Sequence, residues 1–374
     1  MKVLMLCYEF PPIGGGASRV VSGLTRELVS IGYEIDLVTM GFRGLPRYEK
    51  IGNINIYRVP CIRLNRSFCT IFEAAIYTVS CFFYTLKLLK RNKYQLNHTH
   101  FIFPDGFISF LIFKLTRLPY IITAHGSDVP GYNPDRLKLA HRLLFPIWKI
   151  ILHHAKEIIC PSSSLRLLIM KAFSKARVII VPNGIDIEKF KPDKDKQIHI
   201  LMVSRMVKRK GIQYFLKALE EIKLNNNEIH IVGDGPYLKD LKKMASPLGN
   251  SVKFWGWLDN RSEKLKELYE TSSIFVFPSE AENFPIVLLE AMSAGLAIIT
   301  TKGTGCAEVV KDCALLVDPH NPEAIRDALN TLIHNDQLRR HLGSAARIRL
   351  ENNFSWQAVA RQYARIYEQS VRVP

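Results

Sequence analysis

Short apolar runs alternate with amphipathic segments along the whole chain, and this alternation predicts strands followed by helices. An apolar run at residues 3–8 precedes a glycine-rich loop, a helical pattern over 20–29 and another apolar run at 34–40. Further strands are predicted over residues 119–124, 155–161, 178–182, 198–204, 228–232, 252–257, 274–278, 297–301 and 314–318. Because helical patterns separate these runs, the sequence predicts an α/β fold with parallel sheets.

A domain boundary is predicted near residue 185. The last strand of the first half runs into the turn Pro182-Asn183-Gly184, and a polar segment follows at 189–196 before the alternation starts again. A chain of 374 residues is long enough for two domains. We therefore expect one domain over residues 1–185 and a second over 186–354.

Composition narrows the class of protein. Apolar residues make up 48% of the chain, which is enough for two cores. The seven cysteines include no C-x-x-C pair, so neither a zinc site nor a disulfide framework is expected, and reduced thiols suit a cytoplasmic protein. The N-terminal apolar run is too short for a signal peptide and is expected to be the first strand.

Charge is distributed unevenly along the chain. Residues 1–185 hold 24 Lys and Arg against 10 Asp and Glu, a net charge of +14, whereas residues 186–374 hold 27 against 24, a net charge of +3. A basic surface can bind nucleic acid or anionic lipid. No RNP, zinc-finger or helix-turn-helix pattern is present, so we expect no nucleic-acid partner.

The apolar stretch at residues 68–89 leaves three interpretations open. Glu73 and Lys87 interrupt it, and a spanning helix needs about 20 nearly uninterrupted apolar residues. The stretch is either a core helix, a helix that lies on a membrane surface or a spanning helix. A second apolar and basic stretch at 107–117 supports a surface that touches a bilayer without crossing it.

Two carboxylates stand in the most informative stretch of the chain. Glu282 lies in the loop after the strand 274–278, and Glu290 lies on an otherwise apolar helix that starts near Pro285 and ends at Gly295. A buried carboxylate is costly without a partner. Glu290 therefore either forms a salt bridge in the core or meets a ligand rich in hydroxyl groups.

Three loops at strand ends carry further candidate chemistry. Gly14, Gly15 and Gly16 precede a helix, where backbone can approach an anion closely. Arg205 and Lys210 precede the helix 212–222, and cations there oppose the helix dipole unless an anion lies between them. The Gly303–Gly305 loop can also present N–H groups to phosphate.

A histidine follows another predicted strand. His125-Gly126 comes directly after the strand that ends at Ala124, at the sheet edge where α/β proteins bind ligands. Asp128, three residues later, either orients this loop or contacts an acceptor.

These motifs, in this order, resemble those of the retaining glycosyltransferases of family 4, which have the GT-B fold. The resemblance rests on His125-Gly126, on Pro182-Asn183-Gly184-Ile185-Asp186, on Arg205 with Lys210-Gly211, and on Pro278-Ser279, Glu282, Phe284-Pro285 and Leu288 to Gly295. The family usually has glycine where this chain has Asn283. The resemblance implies two Rossmann-like domains that face each other across a cleft, with the last helix, about 355–374, packed back on the first domain.

The resemblance also implies roles for individual residues. Arg205 and Lys210 would hold the diphosphate of a nucleoside-diphosphate sugar, Glu290 the ribose and Glu282 the sugar hydroxyls, while His125 would border the sugar and phosphate. The remaining residues assigned to donor binding are Gly15, Gly16, Gly233, Phe254, Asn283, Phe284 and Pro285, with Asp128 on the acceptor side. Phe254 and its neighbour Trp255 are equally well explained as core aromatics.

The expected reaction is hexose transfer from a UDP- or GDP-sugar with retention of configuration. No Asp-x-Asp metal motif is apparent, so we expect neither metal nor cofactor. A lipid-linked or glycan acceptor and an anionic membrane are the expected partners, at the inner face of the cell membrane. Alternatives are a nucleotide-sugar epimerase of the same fold, a catalytically inactive sugar-binding relative and, in a different class, a basic nucleic-acid-binding protein.

Overall fold

A computed structural model of the chain describes residues 1–66, 69–132, 138–192, 197–222 and 227–372, with the backbone alone for 138–141 and 372. The chain divides into two compact units. One unit comprises Met1–Gly184 and the final helix, which begins at Trp356, and the other is Ile185–Ser355. Residues 67–68 of the long apolar stretch and 193–196 of the predicted linker lie outside the described residues.

The described residues of the first unit form an eight-stranded sheet in the order β3-β4-β2-β1-β5-β6-β7-β8. Its strands are β1 (Lys2–Leu6), β2 (Glu34–Met40), β3 (Tyr48–Ile51), β4 (Ile54–Val59), β5 (Leu96–His100), β6 (Tyr120–Thr123), β7 (Ile158–Cys160) and β8 (Val178–Ile180). All neighbours pair in parallel except β3, which forms an antiparallel hairpin with β4.

Helices cover both faces of this sheet. Up to the boundary they are α1 (Gly16–Ser30), α2 (Ile71–Arg91), α3 (Phe107–Thr116), α4 (Lys138–His154) and α5 (Ser163–Ala172). Side chains alternate along β1, so that Val3 and Met5 join a core with α1, whereas Leu4 and Leu6 join a core with α2 and α3. Burial on both faces explains why β1 is apolar at every position after Lys2.

The second unit repeats the architecture with a six-stranded parallel sheet of order β11-β10-β9-β12-β13-β14. Its strands are β9 (Ile200–Val203), β10 (Ile229–Val232), β11 (Val252–Gly256), β12 (Ile274–Phe277), β13 (Ala297–Thr301) and β14 (Ala314–Val317). Its helices are α6 (Ile212–Leu219), α7 (Leu238–Ala245), α8 (Glu263–Thr271), α9 (Ile286–Ser293), α10 (Gly305–Val310), α11 (Pro322–His334) and α12 (Asp336–Asn353). The α/β prediction with parallel sheets is therefore confirmed.

The final helix, α13 (Trp356–Arg372), belongs to the first unit. It packs along α1 and buries Val359, Tyr363 and Tyr367 in the core that α1 shares with β1. Tyr367 also reaches the sheet itself, where its hydroxyl lies 2.6 Å from Nδ1 of His98 on β5.

Helix α2 has an unusual distribution of side chains. Its buried face carries the polar residues Glu73 and Thr85 beside Tyr77 and Cys81, whereas large apolar side chains are exposed. Among the described residues it is the helix that meets the length and apolar composition of a membrane span. Its first turn is fixed by a capping box in which Thr70 and Glu73 bond each other's backbone N–H groups.

The predicted pattern missed three strands and shifted several boundaries, including those on either side of the glycine-rich loop. The apolar pattern predicts no strand at β3, β4 or β5. It also continued β1 to residue 8, whereas β1 ends at Leu6, and it began α1 four residues after its actual start at Gly16. The earlier start brings the first turn of α1 directly behind the glycine-rich loop.

Candidate active site

The sheet of the second unit has its topological switch point between β9 and β12. Chain order runs outward from β9 through β10 to β11 on one side and from β12 to β14 on the other. Ligands of open α/β sheets bind at the carboxyl ends of the strands beside such a switch point. The loops that leave β9 and β12 there are the loop of Arg205 and Lys210 and the loop of Glu282.

Lys210 and Glu282 form an ion pair across these two loops, with Nζ of Lys210 in contact with Oε1 of Glu282. Ser279 donates a further hydrogen bond of 2.7 Å to the same carboxylate oxygen. The ammonium also lies 5.2 Å from the centre of the Phe277 ring. Both charged side chains are mostly buried, so the ion pair fixes the position of the Lys210 ammonium at the switch point.

The loops around this pair are held together by backbone contacts. The hydroxyl oxygen of Ser279 also lies 3.1 Å from the carbonyl oxygen of Arg209, and the carbonyl of Ser279 accepts a 2.6 Å bond from the hydroxyl of Thr301. Gly305, at the start of α10, packs so closely that a Cβ there would lie 1.7 Å from the carbonyl oxygen of Asn283. Because only glycine permits this approach, the loops after β12 and β13 form one rigid support for Glu282.

Glu290 is buried in the second unit and paired with a lysine. Its Oε1 lies 2.8 Å from Nζ of Lys189, and its Oε2 accepts a 3.1 Å bond from the hydroxyl of Tyr269. The first of the two alternatives left open for Glu290, a salt bridge, is therefore present in this structure. Its assignment to a donor ribose stays a prediction, and it requires Lys189 to share or leave this carboxylate.

The other donor-side residues of this unit have different surroundings. Arg205 is exposed just after β9. Phe254 is partly buried on β11 and packs against the core, as the core-aromatic alternative expects. Gly233 has φ +134°, and a Cβ there would lie 1.8 Å from the carbonyl oxygen of Ser204, which is a structural reason for this glycine.

Residues 283–285 form the entrance to α9. Asn283 and Phe284 are buried, and the Phe284 ring packs edge-on against Phe354 with ring centres 5.6 Å apart. Pro285 is the N-cap residue of α9, and no side chain caps this helix. The positive end of the α9 dipole is therefore available to an anion at the carboxyl edge of the sheet.

In the first unit the switch point lies between β1 and β5. The glycine-rich loop follows β1, and the space beside Gly15 and Gly16 is open, since a Cβ at either would meet no atom within 4 Å. No side chain caps α1, and the N–H of Gly15 lies 3.4 Å from the carboxylate of Glu9. Glu9 is in turn paired with Arg63 at 3.3 Å.

Three histidines occupy the carboxyl ends of β5 and β6. Nδ1 of His100 lies 3.1 Å from Nε2 of His125, and the rings of His98 and His100 lie 4.2 Å apart. His98 also contacts the hydroxyl of Thr123 through Nε2, at 2.8 Å. Burial lowers the pKa of His98 and of His125 to about 3 each and lowers that of His100 as well, so all three rings are neutral at pH 7.

Of these three histidines, only His125 was predicted from the sequence. His98 and His100 lie on β5, whose sequence Leu-Asn-His-Thr-His is too polar to be recognised as a buried strand. The alternating histidines were the one available signal, because side chains two apart on a strand share a face.

The carboxylate of Asp128 accepts hydrogen bonds from the backbone of the His125 loop. One carboxylate oxygen accepts 3.1 and 2.9 Å bonds from the N–H groups of His125 and Gly126, and the other accepts a 2.8 Å bond from Ile102. Burial raises its pKa, although these bonds oppose the rise. These contacts are those expected of a residue that orients the His125 loop, and its acceptor-side role stays a prediction.

A second group of polar side chains lies at the opposite edge of the second sheet. Ligand atoms of His199, Glu228 and His230 all lie within 4.8 Å of one another. The Nδ1 atoms of the two rings accept hydrogen bonds, from Glu228 N–H at 3.1 Å and from Trp255 at 3.4 Å respectively. The proton of each neutral ring is then on Nε2, so this arrangement is a hydrogen-bonded network rather than a set of metal ligands.

Comparisons with known proteins agree with these features. Residues 184–349 match the family model described as glycosyl transferases group 1, and residues 14–189 match the model described as glycosyltransferase family 4. An "uncharacterized glycosyltransferase" of Methanocaldococcus jannaschii is 27% identical, with 98% of each chain covered. The alpha-monoglucosyldiacylglycerol synthase of Streptococcus pneumoniae is 26% identical over 78% of this chain and 68% of its own.

A solved structure establishes the similarity of fold. The HepE protein of Anabaena, in complex with UDP-glucose, superposes with a TM-score of 0.77 at 18% identity, covering 99% of this chain and 100% of its own. Two parallel-sheet Rossmann-like units with such a neighbour confirm the GT-B prediction.

Proposed function

The chain belongs to glycosyltransferase family 4 of the glycosyl transferases group 1 type, and on this basis we propose that it moves a hexose-type sugar from a UDP- or GDP-sugar to a lipid-linked or glycan acceptor. The reaction would serve the synthesis of a cell-envelope polysaccharide or glycolipid. The nucleotide-sugar donor is supported by the UDP-glucose bound to the Anabaena neighbour, and a lipid acceptor by the name of the Streptococcus relative.

The observation that carries the proposal is the cation held at the switch point of the second sheet. Lys210 is buried against Glu282 at the edge of the sheet where ligands bind, Arg205 leaves the same strand end, and α9 directs its uncapped N-terminus there. A diphosphate leaving group develops negative charge as the sugar departs. Fixed positive groups stabilise that charge, and removal of one costs about 10²-fold in rate.

The chemistry we propose is a front-face substitution. The bond from the sugar carbon to the diphosphate oxygen breaks, the acceptor hydroxyl oxygen bonds to the same face of that carbon, and its proton passes to the departing diphosphate. Glu282 holds sugar hydroxyls rather than acting as a nucleophile. The protein cations take the place of a metal ion.

We further propose that the enzyme is peripheral at the cytoplasmic face of an anionic membrane. The basic first half of the chain supports this, and so does the apolar face that α2 exposes. Basic residues near apolar ones favour anionic bilayers, since both charge attraction and burial of apolar surface contribute.

A thermal-shift series tests the donor. A bound nucleotide sugar stabilises the folded protein by mass action, so one of UDP-, GDP- or ADP-glucose should raise the melting temperature of the wild type. The shift should shrink in Lys210→Ala and persist in Lys239→Ala, a control on α7. No shift with any nucleotide sugar would contradict the proposal. Product analysis without acceptor then separates transfer from epimerisation, which needs no acceptor.

Retention is tested with Glu282→Gln. We expect a product of unchanged anomeric configuration from the wild type. Loss of transfer in Glu282→Gln that azide rescues, with an inverted product, would show a covalent nucleophile and overturn the front-face route.

A further inference from the structure

A cavity of about 360 Å³ opens in the first unit at the carboxyl ends of β2 and β4. The two strands are parallel neighbours that end in register, with Met40 opposite Val59. The cavity is lined by four arginines, Arg43, Arg47, Arg58 and Arg63, and by no acidic residue among the described residues. This is the edge at which open parallel sheets bind ligands, so the cavity lies where a substrate is expected.

The four guanidinium groups are not equivalent. Arg58 is buried and paired with Glu49 at 2.8 Å, and Arg63 is buried and paired with Glu9 at 3.3 Å. Within the described residues, Arg43 and Arg47 have no carboxylate partner, and both are exposed at the cavity. The cavity wall therefore carries two positive charges in excess of its carboxylates. A phosphate monoester, with a charge of about −1.5 to −2 near pH 7, matches this excess better than a single carboxylate does.

The wall of this cavity continues into the glycine-rich loop. Arg63 contacts Glu9 of that loop, and Gly14 donates a 2.7 Å backbone bond to the carbonyl of Arg66. An anion in the cavity would therefore lie beside the loop that we assign to the donor. That position suits an acceptor better than a second donor site.

The rim of the cavity is apolar and exposed. Leu64 is 79% exposed and Ile62 53%, so the two side chains form an apolar patch beside the cavity. Glu73 joins this rim to the first turn of α2, because its carboxylate accepts 2.7 Å bonds from the N–H groups of Leu64 and Thr70. The exposed Phe72 of that turn extends the apolar surface.

We propose that this arginine pocket binds the phosphate or diphosphate group of an amphiphilic acceptor, whose lipid chain lies along the apolar rim formed by Ile62, Leu64 and the first turn of α2. The identification of this ligand as the acceptor rests on the proposed function, but the existence of the binding site does not. It can be tested without donor, turnover or knowledge of the natural acceptor.

The test is direct binding of decyl phosphate to the full-length protein, measured by calorimetry below the micelle concentration. Decyl glucoside supplies the same chain without the charge, and inorganic phosphate supplies the charge without the chain. We expect decyl phosphate to bind at least about tenfold more tightly than either, since charge-assisted bonds and apolar burial both contribute.

The decisive variant is Arg43→Ala/Arg47→Ala, with Arg43→Gln/Arg47→Gln as a second form in case the first folds poorly. Either should bind decyl phosphate at least about tenfold more weakly. The matched control, Arg26→Ala/Arg166→Ala, removes the same charge from exposed positions on α1 and α5 and should bind like the wild type. UDP-induced stabilisation of each variant reports the state of the donor site separately.

Three results would overturn the proposal. If the Arg43/Arg47 variants bind decyl phosphate as the wild type does, or if the control pair loses as much affinity, the arginine pocket is not the binding site. Equal affinity for decyl glucoside would show that the site does not recognise the phosphate group. Equal affinity for inorganic phosphate would show that the site binds free phosphate and does not recognise the lipid chain. A failure of the proposed function would appear instead as the absence of any nucleotide-sugar response in the wild type.

Discussion

Lys210 is the residue at which the two roles proposed for this site compete. Its ammonium is neutralised by Glu282 in this structure, yet we assign it to the donor diphosphate. The carboxylate therefore keeps the cation in place at the expense of anion binding, and Ser279 fixes the carboxylate from the other side. A donor can satisfy both partners at once, because its diphosphate meets the lysine while its sugar hydroxyls donate to Glu282.

This competition predicts opposite effects of one substitution on binding and on rate. Glu282→Gln should bind UDP more tightly, by about fivefold, since relief of the competing charge is worth about 1 kcal/mol. The same variant should transfer sugar about 10²-fold more slowly because it loses a charged contact to the sugar. Calorimetry with UDP and an initial-rate assay measure the two quantities.

A variant of Lys210, the partner of Glu282 in the ion pair, tests the same competition from the other side. Lys210→Ala should weaken UDP binding and slow transfer together, because it removes the cation itself. Glu280→Gln, two residues from Glu282 and paired with His320 rather than with a lysine, is the matched control and should leave both quantities near wild type. Weaker UDP binding in Glu282→Gln would mean that the carboxylate supports the diphosphate site rather than opposing it.

His98 allows a pH prediction. Its pKa is lowered by burial to about 3, so below the ordinary value near 6.5 the unfolded chain binds a proton that the folded chain does not. Its contribution to stability is complete above about pH 6.5 and is lost as the pH falls toward 3. Each such histidine lowers the free energy of unfolding by about 1 kcal/mol per pH unit in that window.

The variant that isolates this effect is His98→Gln. Between about pH 6 and 5 its stability should fall less steeply than that of the wild type, by about 1 kcal/mol per pH unit, in urea unfolding followed by tryptophan fluorescence. His153→Gln, at an exposed position in the same unit, is the comparison variant. An unchanged slope in His98→Gln would show that His98 is protonated in the folded state.

At the scale of elements, α2 presents an arrangement opposite to that of an ordinary surface helix. Phe72 is 68% exposed and Phe83 64%, while Glu73 and Thr85 are buried. Such a face is costly in water unless another surface covers it. We assign that surface to the bilayer, because Lys87 and Lys90 follow the apolar stripe and lie where anionic headgroups would meet them.

Phe72→Ser/Phe83→Ser should therefore weaken binding to anionic vesicles by about tenfold or more, since the two rings lose several kcal/mol of apolar burial between them. Vesicle sedimentation measures this, with Ile348→Ser, an exposed apolar residue of the second unit, as the matched control. Wild-type binding should also rise with anionic lipid and fall with salt. Equal binding to neutral vesicles, or no loss in the Phe variant, would contradict a membrane role for α2.

The strands also show which secondary-structure elements can be predicted from a single sequence and which cannot. The strands of the second unit are nearly pure apolar runs, such as Ile274–Phe277, and periodicity was sufficient to find them. β5 was missed because its side chains are polar and the contacts they make come from distant parts of the chain, as the contact of His98 with Tyr367 does. β4 was missed although its alternation and the turn at Gly52-Asn53 are typical of a hairpin.

In the candidate site, too, some features could be predicted from the sequence and others could not. Motifs located Arg205, Lys210, Glu282 and Glu290, because each follows a recognisable strand or helix signal. The partners could not be predicted, since Lys189 meets Glu290 from 101 positions away and nothing local connects them. A buried carboxylate in the sequence indicates that a partner must exist, but only the folded structure identifies that partner.

At the scale of the whole molecule, the uneven distribution of charge matches the two proposed tasks, which are membrane binding and donor binding. The first 185 residues carry a net charge of +14, suited to an anionic membrane, whereas the rest carry +3. The donor site of the second unit therefore depends on a few placed cations rather than on a strong overall field. Salt should accordingly weaken vesicle binding much more than it weakens donor binding, because a buried pair such as Lys210 and Glu282 is screened less than exposed charge.

Fixed protein cations predict that transfer needs no metal ion. If the placed cations stabilise the departing diphosphate, then chelation by EDTA should leave the transfer rate unchanged, and added Mg²⁺ should not raise it. Lys210→Ala should be slow with or without EDTA, by about 10²-fold. An initial-rate assay of wild type and variant in both conditions separates the two sources of positive charge. Wild-type activity that vanishes with EDTA and returns with Mg²⁺ would show that a metal ion carries the charge, and the role assigned to Lys210 would then be limited to positioning Glu282.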